Sequence, residues 1–157
     1  MVNVFVDAQG FLIRGRFYPR ELAICSKKGY YHVFFILPTN IEFTKQELKT
    51  INYCTRNIHG IPWYETENDT FSLPVSLWRE ILIHFCKRWA KNGFIRVRNN
   101  QLKAEMEKLN LKIYDMEKKH IKYEKNFFCK LHHSNYRCAL NKVLNLYKTM
   151  NQTKKNE

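Results

Sequence analysis

Two cysteines and a histidine near the C-terminal end of the sequence have the residue types and the spacing of a metal site. Cys129, His132 and Cys138 form a C-x2-H-x5-C pattern. Thiolate sulfur and imidazole nitrogen are donors that Zn²⁺ prefers, and a structural zinc site normally closes with four ligands in a tetrahedron. Three ligands leave that shell incomplete, so the pattern predicts a fourth ligand elsewhere in the chain.

Two residues are candidates for the fourth ligand. His120 lies nine residues before Cys129, whereas Glu21 is far away in sequence, on a predicted strand. Spacing alone favours His120, because a local ligand needs no particular fold. The alternative without a metal treats Cys138 as a small buried residue at the start of the last helix.

A second candidate for chemistry is Asp7, at the end of the first predicted strand. Residues two apart on a strand share a face, so Asp7 and Gln9 point the same way. A pair of carboxylates there would suit two-metal hydrolysis of a phosphodiester. Gln9 is neutral and a poorer metal ligand, so we expect no catalytic residues, with Asp7 the single candidate.

The basic residues are concentrated in the second half of the chain. Residues 79–157 contain 19 Lys and Arg against 7 Asp and Glu, whereas residues 1–78 contain 8 against 7. This asymmetry favours a polyanionic partner, most often nucleic acid. Because aromatic residues are interleaved with the basic ones, single-stranded RNA is the expected ligand. The predicted phosphate contacts are Arg96, Arg98, Lys103, Lys118, Lys119, Lys122, Lys125, Lys130 and Arg137.

The length and composition indicate one globular domain. The 157 residues fit a single domain, placed at residues 1–150, followed by a disordered basic tail at 151–157. No apolar run approaches the roughly 20 residues of a membrane span, and we expect no secretory signal. Five cysteines without a paired framework indicate a reducing compartment, cytoplasm or nucleus.

Periodicity and turn signals predict the elements that must position these residues. Alternating apolar residues predict strands over 2–8, 17–26, 30–37, 94–98 and 112–116. Helical spacing and capping signals predict helices that begin at Thr44, Pro74, Asn100 and about His133. The order βββ-α-α-β-α-β-α predicts a mixed five-stranded sheet flanked by helices.

That element order is the one expected of a ribonuclease H-like fold, whose nucleases hold two metals with four carboxylates. An acid is expected on the helix after the fourth strand, where this chain has Asn99, Asn100 and Lys103. On the last helix, where exonucleases of this fold have His and then Asp, stand His133 and Cys138. The four-carboxylate set is therefore not assembled.

Two stretches of the sequence resemble the Maelstrom domain, a divergent ribonuclease H-like domain of the small-RNA (piRNA) silencing pathway. The first runs from Phe17 to Cys25 and continues into the aromatic strand around 32–38, and the second joins Cys129-Lys130-Leu131-His132 to Cys138-Ala139-Leu140. The resemblance implies a Glu-Cys-His-Cys zinc site formed by Glu21, Cys129, His132 and Cys138. The interval from His132 to Cys138 is shorter than is typical of that family.

The resemblance implies a function in gene silencing. We expect a domain that carries a structural zinc and binds single-stranded RNA without classical two-metal catalysis, with silencing-pathway proteins as further partners. One alternative is an active single-stranded RNA nuclease, because Maelstrom-type domains are credited with cleavage without the usual acids. A second alternative is a protein-interaction scaffold whose charge only aids solubility.

Overall fold

The first strand lies at the centre of the sheet and pairs with strands on both sides. The computed structural model describes residues 2–37, 39–64, 72–97, 99–115 and 138–153. The strands are β1 (Val2–Ile13), β2 (Arg16–Ser26), β3 (Tyr31–Phe35), β4 (Phe94–Val97) and β5 (Ile113–Asp115). The α-helices of these ranges are α1 (Lys45–Cys54), α2 (Trp78–Ala90), α3 (Asn100–Lys108) and α4 (Ala139–Thr153).

The sheet is mixed, with strand order β3-β2-β1-β4-β5. β1 pairs antiparallel with β2 and parallel with β4. β2 pairs antiparallel with β3, and the three-residue β5 extends the opposite edge beside β4. The predicted mixed α/β class is therefore confirmed.

Alternate residues of β1 and β2 face different helices, as the two-residue period of a strand requires. Val4, Val6 and Ala8 lie in the larger core cluster, together with residues of α2 and α3. Phe5 and Ala23 face the other way and pack in a second cluster with α4. The sheet is thus covered on both faces, and α4 alone of these three helices covers the face that carries Asp7.

β1 is longer than the sequence predicted. Alternation predicts a strand over 2–8 that ends near Gly10, but β1 continues to Ile13 and turns into β2 through Arg14 and Gly15. Both turn residues have positive φ, 51° and 72°, as a tight hairpin with a two-residue loop requires. Gly10 does not end the strand. It lets β1 and β2 approach closely, because a Cβ built there would lie 2.1 Å from the Tyr18 carbonyl oxygen.

A β-bulge beside Gly10 adds one residue to β2. Gln9 pairs with Glu21 and Gly10 pairs with Pro19, so Arg20 has no partner on β1. The Arg20 side chain is buried and donates hydrogen bonds to three backbone carbonyl oxygens, among them those of Ile36 and Pro62. The bulge therefore determines which face of the sheet receives Glu21.

The segment after α1 ends against the distal part of β1. His59 Nδ1 accepts a hydrogen bond from the Ile61 N–H at 3.1 Å, so Nε2 carries the proton and donates to the Gly10 carbonyl at 3.0 Å. Trp63 is buried against Phe11, with ring centroids 5.3 Å apart. The His59–Trp63 segment is thus a helix stop with its aromatic residue packed against the sheet.

The end of the chain also differs from the prediction. α4 continues to Thr153, so residues 151–153 of the expected disordered tail are helical. The part of the last helix predicted at 133–137 lies outside the described residues. Among the helices of the described ranges, none is both long enough and apolar enough to cross a bilayer.

We predict that Gly10→Ala destabilises the protein by about 3 kcal/mol, because the new methyl group meets backbone atoms that cannot rotate away. Gly15→Ala is the control, since a Cβ there meets nothing within 4 Å and only the positive φ of 72° is unfavourable. That variant should lose about 1 kcal/mol. Urea denaturation measures both free energies of unfolding, and equal losses would contradict the prediction.

Candidate metal centre

Glu21 and Asp7 lie on the same face of the sheet although they come from different strands. Gln9 pairs with Glu21, and Asp7 pairs with Ala23 two residues further along β2. Directly paired residues of antiparallel strands point to the same side, as do residues two apart on one strand. This register places two carboxylates and one amide beneath α4.

The Glu21 carboxylate meets the first residues of α4. The side chain is 0% exposed, and its Oε1 lies 3.2 Å from the Sγ of Cys138, which is also 0% exposed. The same oxygen accepts a hydrogen bond from the Leu140 N–H at 3.3 Å. These residues are 117 and 119 positions from Glu21 in the chain, so only the fold brings them together.

Burial of a carboxylate requires compensating contacts, because an unpaired ionised group in an apolar interior is very costly. The first N–H groups of a helix have no partner within the helix, and the helix dipole is positive at that end. Glu21 receives one of these N–H groups, that of Leu140. The carboxylate therefore fixes the start of α4 to β2.

The Glu21 and Cys138 donor atoms also have a separation that fits one zinc ion. With Zn–O about 2.0 Å and Zn–S about 2.3 Å, two ligands of a tetrahedral site lie about 3.5 Å apart. The observed Sγ to Oε1 distance is 3.2 Å. A carboxylate oxygen and a thiol sulfur are both zinc donors, so this pair fits half of a zinc site.

Asp7 lies on the same face and is 1% exposed. Its Oδ2 accepts a hydrogen bond from Gln9 Nε2 at 3.1 Å and lies 3.9 Å from Lys142 Nζ. Among the described residues, Oδ1 has no hydrogen-bond partner. Burial raises the pKa of Asp7 to about 6, against the lowering effects of Lys142 and Gln9, and the charge of Glu21 raises it further.

Neutral amides occupy the start of α3, on the other side of the sheet, and the buried side of α4. Asn99 caps α3, since its side-chain oxygen accepts from the N–H groups of Gln101 and Leu102, and its Nδ2 donates to the Ala8 carbonyl at 2.9 Å. Asn141 and Asn145 of α4 are buried. Asn99 therefore has a structural role at the position where an acid was considered.

The structure brings together two of the five residues considered as zinc ligands, Glu21 and Cys138. Cys129, His132 and His120 lie outside the described residues. Within the described ranges, no three His, Cys, Asp or Glu side chains form a group that could hold a metal ion. The described ranges therefore show that Glu21 and Cys138 are in contact, and the zinc site, including the choice between Glu21 and His120, stays a prediction.

The predicted phosphate contacts are mostly outside the described part of the chain. Seven of the nine lie there, namely Arg98, Lys118, Lys119, Lys122, Lys125, Lys130 and Arg137. Lys103 is half-buried on α3. Arg96 is 4% exposed and contacts Met150 of α4 through its guanidinium group. Its burial beneath a helix does not fit the prediction that Arg96 tracks phosphates.

Sequence reasoning missed Lys142 as part of this face. Lys142 lies four residues after Cys138, and its N–H donates to the Cys138 carbonyl at 3.0 Å. Residues four apart share a helix face, so this spacing could have identified it. Its partner Asp7 could not have been identified, because the pairing depends on how α4 crosses the sheet.

Comparisons with protein-family models, with curated proteins and with solved structures found no match to this chain.

We predict that Asp7 makes the protein less stable as the pH rises. The folded-state pKa of about 6 lies above the ordinary aspartate value of 3.8 that applies to the unfolded chain, so the folded state binds the proton more tightly. The contribution of Asp7 to the free energy of unfolding is therefore constant below pH 4 and falls by about 3 kcal/mol between pH 4 and pH 6.

Asp7→Asn removes this titration while it keeps the size of the side chain. The difference in unfolding free energy between the variant and the wild type should grow by about 3 kcal/mol in favour of the variant from pH 4 to pH 7. Urea denaturation at each pH measures it. A difference that does not change with pH would contradict the assignment.

Proposed function

We propose that this chain is a Maelstrom-like domain of ribonuclease H-like fold that carries a structural zinc and binds single-stranded RNA without two-metal catalysis. The observation that carries the proposal is the buried contact between Cys138 Sγ and Glu21 Oε1, at 3.2 Å. These are the two ends of the ligand set that the family resemblance implies. They are 117 residues apart in the chain.

The zinc would be held by Glu21, Cys129, His132 and Cys138. With one carboxylate, two thiolates and one neutral imidazole, the ion and its ligands together would have a formal net charge of about −1, and oxygen, sulfur and nitrogen are donors that zinc accepts. Four protein ligands leave no position for an activated water, so the metal would act as a cross-link between α4 and β2. Structural zinc contributes on the order of 10 kcal/mol of binding free energy.

The arrangement of the sheet supports the ribonuclease H-like assignment. A central β1 pairs with an antiparallel β2 on one side and a parallel β4 on the other. β3 continues the meander, and α4 covers the face that carries Asp7. This is the arrangement expected when three antiparallel strands precede alternating helices and strands.

The residue types around Asp7 argue against two-metal catalysis. Two divalent ions need several carboxylates that converge on one site. In the described part of this face, Asp7 is accompanied by Gln9 and by the cation of Lys142, and Glu21 is already committed to α4. The Lys142 ammonium, 3.9 Å from Asp7 Oδ2, and the neutral amide of Gln9 stand where further carboxylates would be needed to attract a second metal ion.

The charge of the chain supports RNA as the partner. Residues 79–157 carry a net charge of +12, from 19 basic and 7 acidic residues. A polyphosphate backbone is the commonest ligand of such a region, and its binding releases counterions and weakens with salt. Silencing-pathway proteins would be the further partners of such a domain.

We predict one zinc ion per chain in the purified protein, and its loss in Glu21→Gln and Cys138→Ser. Gln keeps an oxygen that can accept the Leu140 N–H, but its neutral amide is a much poorer zinc ligand than a carboxylate. The Glu21→Gln variant thus separates the zinc role of Glu21 from its contact with the helix terminus. Elemental analysis measures the metal, and thermal unfolding should show a loss of at least about 10 °C in Tm.

Cys25→Ser is the matched control for this experiment. Cys25 is a buried thiol on the same face, but it lies four residues from Glu21 along β2, about 13 Å away, which is too far for both to bind one ion. This variant should keep its zinc. Retention of zinc in Glu21→Gln with loss in His120→Ala would instead identify His120 as the fourth ligand. A zinc-free wild-type protein would overturn the metal part of the proposal.

We predict that the protein binds a labelled single-stranded RNA, that binding weakens as salt increases, and that the RNA stays intact in the presence of Mg²⁺. Gel analysis of the RNA detects cleavage, and fluorescence anisotropy measures binding. Asp7→Asn should bind as the wild type does.

Cleavage abolished by Asp7→Asn would show an active nuclease, and cleavage that persists with a chelator would show a nuclease without metal. Absence of salt-dependent binding would favour the interaction scaffold.

A further inference from the structure

A depression of about 360 Å³ lies where the β2–β3 turn meets the end of α2. It is lined by Asn3, Ser26, Lys27, Lys28, Tyr30, Arg88, Trp89 and Lys91. Asn3 lies six residues before Gln9, the partner of Glu21, on the same strand. At about 3.3 Å per residue this separates the depression from the Glu21 face by about 20 Å. The two sites are therefore independent.

Within the part of the chain that the structure describes, the cations around this depression have no acidic partners. Lys27, Lys28, Arg88 and Lys91 are exposed, and no acidic residue is among the lining residues. Within the described ranges, none of these four side chains forms an ion pair. Four uncompensated cations that converge on one depression create a positive potential suited to a phosphate group.

Two aromatic residues lie beside these cations. Trp89 is half-buried, and His32 stacks on it with ring centroids 5.6 Å apart and an interplanar angle of 28°. The Phe85 ring packs edge-to-face against the Trp89 indole, with ring centroids 5.0 Å apart. Tyr30 is 69% exposed at the rim. A rigid indole and an exposed phenol offer stacking surfaces for a nucleobase.

The backbone of Lys91 is a separate observation that points to a function. Its φ of 49° and ψ of −111° match the first central position of a type II′ turn, which Gly normally occupies. The turn closes with a hydrogen bond from the Gly93 N–H to the Ala90 carbonyl at 2.7 Å. A lysine here is unfavourable for the backbone, and its cation lies at the rim of the depression.

We infer that this depression binds one nucleotide unit of single-stranded RNA, with the phosphate held by Lys27, Lys28, Arg88 and Lys91 and the base against Trp89 and Tyr30. The volume suits a single nucleotide rather than a helix of paired strands. The inference rests on the RNA binding proposed above and adds a contact site outside the predicted set of phosphate contacts. It does not depend on the zinc.

The test compares two triple variants that remove the same charge from different surfaces. The first removes cations from the depression: Lys28→Gln, Arg88→Gln and Lys91→Gly. The second removes exposed cations from α1 and the turn after it: Lys45→Gln, Lys49→Gln and Arg56→Gln. The probe is a short fluorescein-labelled oligouridylate, and anisotropy gives Kd over a series of salt concentrations.

The depression variant should bind at least about tenfold more weakly, and the slope of log K against log salt should become shallower by about 2, as expected for three lost phosphate contacts on a single strand. The α1 variant should change the slope by less than about 1. Quenching of tryptophan fluorescence by the RNA should disappear in Trp89→Phe, because the remaining tryptophans, Trp63 and Trp78, are buried.

Lys91→Gly alone controls for folding. It should melt at the same temperature as the wild type or higher, while it binds RNA more weakly, so a loss of affinity cannot be attributed to unfolding. Equal losses in the two triple variants would overturn the site, as would duplex RNA that binds as tightly as the single strand. Unchanged affinity of the depression variant would overturn this inference alone, whereas a wild-type protein that binds no RNA would overturn the proposed function with it.

Discussion

The buried carboxylate of Glu21 is the constraint on which the α4 side of the structure depends. A carboxylate at 0% exposure must be compensated, and the start of α4 supplies the Leu140 N–H and the Cys138 thiol. The helix is therefore attached to β2 at its first residues, and the rest of α4 packs its apolar side over Phe5 and Ala23. A zinc ion at this position would strengthen an attachment that the chain's own polar atoms already define.

This attachment determines what the face beneath α4 can do. Once Glu21 is committed to the helix, Asp7 is the remaining carboxylate in the described part of the face, and it lies beside an amide and a lysine. The burial that raises the pKa of Asp7 to about 6 also keeps it away from a large substrate. On this face Glu21 holds the start of α4, and the charge of Asp7 is opposed by Lys142. Both arrangements suit a structural role.

RNA contact is then expected on other surfaces. Arg96, a predicted phosphate contact, is buried under α4, whereas the exposed cations Lys28 and Arg88 border a depression with aromatic walls. The proposed RNA site lies beside Asn3, near the start of β1, whereas the proposed metal site lies at Gln9 and Glu21, about 20 Å further along the strand. The first surface is open to solvent and the second is buried.

The sequence by itself determined the element types and the mixed α/β class, because alternation, capping boxes and turn residues are local signals. The family resemblance named Glu21 and Cys138 together, whereas spacing alone favoured His120, and the structure shows a contact between the first two while the metal stays a prediction. Only the tertiary structure decided the length of β1, where Gly10 serves a close approach and not a stop, and the burial of Arg96. It alone paired Asp7 with Lys142 and gathered the cations of the depression from two distant segments. These outcomes depend on strand register and on the path of α4 across the sheet, which are set by contacts between residues remote in sequence.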